Sequence, residues 1–106
     1  VTPVYGVYAV LMSGPELQPW PGIANVGRRP TVQGSREQLE VHLLDYRDDL
    51  YGRHVKVDFL HYLRPEQRFE SLDALRRQIQ QDERAARAYF STRGIIRSPS
   101  PSAIPT

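Results

Sequence analysis

The chain has 106 residues, 40% of them hydrophobic, a formal net charge of +2 and no cysteine. That length allows one domain with a modest core, the charge is too small to imply a nucleic-acid partner by itself, and the lack of cysteine removes disulfides and thiolate metal sites. No apolar run reaches the ~18 residues of a membrane-crossing helix, the motifs GxGxxG, GxxxxGK[ST] and HExxH are absent, and the three histidines are too scattered for a ligand set.

The chain opens without Met, in mid-pattern and with no signal peptide, and reads as a piece of a longer polypeptide. Together with the missing cysteines this makes a cytoplasmic location the expectation. Residues 4–12 predict a first strand, with Gly6 marking a bulge or a close backbone approach. Ser13-Gly14-Pro15 is a turn signal. Residues 18–26 predict a second strand whose start, interrupted by Pro19 and Pro21, lies at an edge. Trp20 between them serves packing rather than ligand stacking. Residues 27–38 read as a polar, cationic loop.

Residues 39–45 predict the third strand. Its period of two sets Leu39, Val41 and Leu43 against the core and Glu40, His42 and Leu44 on the opposite face. Spacing alone favours a solvated Glu40. A stiff strand is also the mount that a general base requires. A charged turn over residues 46–52 follows, then a fourth strand over 54–63 with Val55, Val57 and Phe59 on one face. From Ser71, a good N-cap, the period changes to 3.6. Leu72, Leu75, Ile79, Ala86 and Phe90 form one stripe, on which Asp82 meets an arginine, kinks the helix or faces a wet groove. Gly94 is the stop. Residues 93–106 are expected to be a disordered or extended tail, leaving residues 1–92 as the domain. Short strands followed by one helix predict a mainly β fold, a small antiparallel barrel or curled sheet with a C-terminal α-helix.

Of the basic residues, 13 are Arg and one is Lys. Arg28 and Arg29 next to a strand end, with one carboxylate on the neighbouring strand, suit phosphoryl transfer, where positioning and charge neutralisation do most of the work. They equally suit an ordinary basic loop. A second class of function is a non-catalytic barrel that binds nucleic acid or another phosphorylated ligand through Arg28, Arg29 and Arg36, with binding that weakens steeply in salt.

The ordered set Gly6-Val7-Tyr8-Ala9, Asn25-Val26-Gly27-Arg28-Arg29-Pro30-Thr31, Glu40-Val41-His42, Asp49-Leu50-Tyr51-Gly52, Arg64-Pro65-Glu66, Phe69, Ser71-Leu72, Leu75, Ile79 and Asp82 resembles the riboflavin kinase family. The resemblance implies a Greek-key β-barrel with a terminal helix, here lacking its first strand, so that residues 4–12 or a neighbouring strand become an edge. It also implies a transferase of FMN biosynthesis that moves the γ-phosphate of ATP to the ribityl hydroxyl of riboflavin, with Mg2+. A further implication is an FMN adenylyltransferase domain upstream in the same polypeptide, as in FAD synthetase. Glu40 falls on the family's catalytic base. Asn25, Gly27, Arg28, Arg29, Thr31, Leu72 and Arg76 fall on its substrate- and nucleotide-binding segments, with residues 27–38 as one flap and the helix start over the flavin ring. The family's Thr/Asn metal pair lies upstream of Val1, so no metal ligand is expected in this chain; Asp45 and Asp49 are the first candidates should one exist.

Overall fold

A computed structural model describes residues 5–15, 17–47 and 54–95. The expected Asp49-Leu50-Tyr51-Gly52 turn and the tail from residue 96 onward lie outside the described residues. Four strands, β1 (Gly6–Gly14), β2 (Leu17–Thr31), β3 (Gly34–Leu43) and β4 (Lys56–Arg64), precede one helix, α1 (Leu72–Thr92). The strands pair antiparallel in the order β3-β2-β1-β4. Three hairpin-connected strands with a fourth returning beside the first is the Greek-key arrangement. No pairing joins β3 to β4 among the described residues, so these two are the outer strands rather than neighbours in a closed barrel.

β1 is therefore interior, and of the two expected alternatives it is a neighbouring strand, β4, that lies at an edge of the sheet. Gly6 lies where β4 approaches: a Cβ there would come within 2.6 Å of both Arg64 O and Tyr62 Cε1. The anticipated polar loop over residues 27–38 is instead a hairpin. β2 and β3 stay in register from Gly22↔Leu43 out to Thr31↔Gly34, so only Val32 and Gln33 turn the chain. Pro19 and Pro21 of β2 lie beyond the Gly22↔Leu43 pair, on a stretch that β3 does not flank, whereas Pro30 pairs with Ser35 near the hairpin tip.

Both faces of the sheet carry apolar clusters. Tyr8, Val10, Ala24 and Val26 fill one, with Val41, Val57 and Phe59 against them. Ala9, Leu44, Ala86 and Phe90 fill the other, beneath α1, with Ile23, Leu60 and Leu63. Two register shifts in β4, one between Ala9 and Val10 and one between Val7 and Tyr8, accompany the placing of Leu60 and Leu63 under the helix. A third cluster, Met12, Leu17 and Leu43, is closed by Trp20 and Tyr46. The Trp20 indole N–H donates to Leu44 O at 2.6 Å, and its ring meets Tyr46 edge-on at 5.2 Å. Trp20 is a packing residue.

Three apolar residues depart from expectation. Leu39 is 47% exposed, because β3 has a neighbour on one side only. On α1, only the rear of the predicted stripe is buried, through Asp82, Ala86 and Phe90, whereas Leu72 and Ile79 are largely exposed. Periodicity shows which residues share a face; it does not show how far the sheet extends beneath them. The helix starts as predicted, with Ser71 Oγ accepting from Ala74 N at 3.1 Å. At its end, Ile95 N donates to Phe90 O and Gly94 N to Ser91 O, with Gly94 at φ 73. This is a Schellman closure. It packs Ile95 onto the cluster under the helix, so ordered backbone continues to Ile95.

Candidate active site

The pairing registers align Arg64, Val7, Asn25 and Glu40 in one row across four strands, β4 to β3. Alternate residues share a face, so Ile23, Asn25, Gly27 and Arg29 of β2 stand with Arg36, Gln38, Glu40 and His42 of β3. Leu44, at the end of that same series, is buried under α1. Glu40 thus belongs to the helix-covered face, at a point where the helix no longer covers it.

Two clefts meet there. One, of about 550 Å3, is lined mostly by polar groups, among them Arg28, Arg29, Gln38, Glu66 and Arg68. The other, of about 530 Å3, is walled by Val7, Ile23, Phe69, Leu75 and Ile79. Asn25, Arg29, Glu40 and Gln67 line both. The exposed front half of the α1 stripe therefore has a use: Leu75 and Ile79 roof the apolar cleft, and the segment after β4 supplies Phe69 as its end wall.

Glu40 Oε1 accepts from Arg29 Nη2 at 2.9 Å, with both side chains more than half exposed. Arg28, one residue away on the strand, points to the other face. Its Nε and Nη2 donate to the Tyr5 hydroxyl at 3.1 and 2.9 Å, and its guanidinium carbon lies 5.2 Å from the Tyr5 ring centroid. Arg36 pairs in register with Arg29. The three arginines considered as phosphate contacts are thus split between two faces. Gly27 is buried in the ribbon, and a Cβ there would run into the Glu66 carboxylate. The loop after β4 can lie on the ribbon because this position has no side chain.

Of the predicted site residues, the structure brings together Asn25, Gly27, Arg29 and Glu40 on one face, while Arg28 lines the polar cleft with its side chain bonded to Tyr5. Thr31 sits at the tip of the hairpin, paired with Gly34. Leu72 is 69% exposed, and Arg76 faces Asp73 at 3.9 Å; none of these three lines either cleft. Sequence reading gave no site role to Glu66, Gln67 or Arg68, which enter the site because β4 pairs with β1. Asp82 meets an arginine: Arg64 grips it with two bonds, Nε to Oδ1 at 2.7 Å and Nη2 to Oδ2 at 2.8 Å. Asp45 is engaged elsewhere, by a two-pronged contact from Arg87 at 3.0 Å. That hydrogen bond holds its carboxyl below the usual range.

Among the described residues no three His, Asp or Glu side chains lie together as a cation site. Also among the described residues, no helix is long and apolar enough to cross a membrane.

A family model described as Flavokinase, riboflavin kinase, matches residues 1–90. The bifunctional riboflavin kinase/FMN adenylyltransferase of Escherichia coli strain K12 is 58% identical over 90 residues, covering 85% of this chain and 29% of that protein. Its counterpart in Haemophilus influenzae is 42% identical over 92 residues, covering 87% of this chain and 30% of that one. A crystal structure described as a macrolide-efflux protein from Streptococcus pneumoniae superposes with a TM-score of 0.74 at 33% identity, covering 82% of this chain and 28% of that chain. The chain spans less than a third of the length of these relatives.

Proposed function

Because the chain belongs to the riboflavin kinase family, we propose that its paired clefts receive riboflavin and ATP and that Glu40 is the base of the phosphoryl transfer between them. One observation carries this reading: Glu40 stands where an apolar compartment opens into an arginine-lined one. A flat, largely apolar ring suits the walls made by Val7, Ile23, Phe69, Leu75 and Ile79. A polyphosphate suits the side lined by Arg29 and Arg68, since guanidinium forks match phosphate oxygens. The ribityl chain joins the two, and its terminal hydroxyl reaches Glu40.

In the reaction the hydroxyl oxygen forms a bond to the γ-phosphorus while the bond from that phosphorus to the bridging oxygen breaks, and ADP departs. Glu40 accepts the hydroxyl proton as the new bond forms. Arg29 contributes charge at the junction and holds the Glu40 carboxylate in place through Oε1. FMN is the product. In relatives of this kind the same polypeptide carries an FMN adenylyltransferase, as their names state, and we place this chain in such a polypeptide, where that second activity consumes the FMN.

The test is Glu40→Gln in the longest natural polypeptide that carries these residues. Gln keeps the shape and removes the proton acceptor. Turnover should fall roughly 10²–10⁴-fold with riboflavin affinity little changed. FMN formation at wild-type rate would remove Glu40 from this role.

A further inference from the structure

Arg64 is the last residue of β4 and makes more directed contacts than any strand residue needs for pairing. Its Nε and Nη2 bind both oxygens of Asp82. Its Nη1 donates to Pro65 O at 3.0 Å. Its guanidinium carbon lies 5.8 Å from the Phe69 ring centroid. Asp82 also accepts from Gln78 Nε2 at 3.0 Å. The Arg64 and Asp82 side chains are 17% and 9% exposed. One guanidinium thus fastens three walls of the apolar compartment: the end of β4, the segment carrying Phe69, and the middle of α1.

The front of α1 has little else to hold it. Leu72 and Ile79 are largely exposed, whereas the rear half buries Ala86 and Phe90 and is tied to the turn after β3 by Arg87 and Asp45. A desolvated ion pair is an expensive way to stabilise a helix contact, since two well-packed apolar side chains serve stability as well or better. What the forked pair adds is a fixed distance and direction.

We infer that Arg64 and Asp82 are positioning residues, whose bridge sets the width of the apolar compartment and so its affinity for a flat ring substrate. They line the compartment themselves beside Phe69, Leu75 and Ile79, whose spacing they set, and take no part in the phosphoryl transfer. The inference rests on the reading that this compartment takes the ring of riboflavin.

The experiment uses the full natural polypeptide with three variants: Arg64→Lys, which keeps the charge and loses the fork; Asp82→Asn; and the double variant Arg64→Met/Asp82→Leu, which replaces the pair by apolar packing. In each, KM for riboflavin should rise about tenfold or more, with KM for ATP and kcat within about threefold of wild type. The double variant decides between positioning and plain stability. It should melt near the wild-type temperature and still show the raised riboflavin KM; because its apolar pair stands in for the bridge, it carries the test if the single variants do not fold. A double variant with wild-type riboflavin KM, or a parallel rise in both KM values, overturns the inference. If wild type phosphorylates riboflavin while the variants keep its riboflavin KM, this inference fails and the proposed function stands. If wild type neither binds nor phosphorylates riboflavin, both fall.

Discussion

Arg29 and Glu40 face one another across the β2–β3 ribbon at 2.9 Å, with 59% and 56% of their side chains in solvent. An exposed pair of this kind contributes at most about 1 kcal/mol to stability. Its interest lies in shared use: one guanidinium donor holds the carboxylate, and the others can meet phosphate oxygens entering the cleft. Arg29→Ala should lower kcat/KM for ATP roughly 10–100-fold, the loss of one hydrogen bond to a charged group at about 1.5–3 kcal/mol. The melting temperature should move by no more than about 4 °C. Steady-state kinetics with ATP varied is the check, and an unchanged ATP dependence contradicts the assignment.

Gly27 and Glu66 should behave as a coupled pair. An alanine at position 27 drives its Cβ into the Glu66 carboxylate, which must then swing out of the polar cleft. Gly27→Ala should reduce turnover, and adding Glu66→Ala should recover part of the loss. A double-mutant cycle reads the coupling, expected at about 0.5–3 kcal/mol. Strictly additive effects would mean that the loop after β4 does not rest on the ribbon.

Asp45 supplies a pH-dependent contribution to stability. The hydrogen bond from Arg87 holds its folded-state pKa below the usual carboxylate value. A depressed carboxylate stabilises the fold above the unfolded-state pKa and loses that contribution as the pH falls through the folded-state value. Asp45 has φ 56, a conformation that Asn also tolerates, so Asp45→Asn isolates the charge. Urea unfolding at neutral pH should show a deficit of at most about 1 kcal/mol, the side chain being largely solvated. The two proteins should converge as the pH is taken below 3.8. A deficit that persists into acid would point to shape rather than charge.

Much of the scaffold was legible in the sequence because each signal was local. Ser71 caps the helix whose period begins beside it, Gly94 ends it, and the alternation through Glu40 named the face that carries the candidate base. The ribbon over residues 27–38 was not legible. Its strands are polar on both sides, so no apolar alternation marks them, and its pairing rests on backbone hydrogen bonds that carry no side-chain code. The site was legible only on the strands. Gly27 could be read as a loop glycine, but its reason is Glu66, which arrives from a distant part of the chain. Asp82 announced itself as an anomaly on an apolar stripe; its partner could be chosen only once β4 was known to end beside β1.

The Greek-key order also sets a schedule for a chain made from its N-terminus. β1, β2 and β3 are neighbours in space and in sequence, so they can pair as they are synthesised. β1 then waits, with one row of amides and carbonyls bare, until residues beyond Lys56 appear to cover it. Pairing across so long a loop is slow relative to hairpin formation. During that interval the candidate base and the arginine ribbon already exist, while the hydrophobic wall and the Arg64 clamp do not. A nascent chain stalled between β3 and β4 therefore has half a cleft and an open central strand, the combination most prone to capture a strand from another molecule.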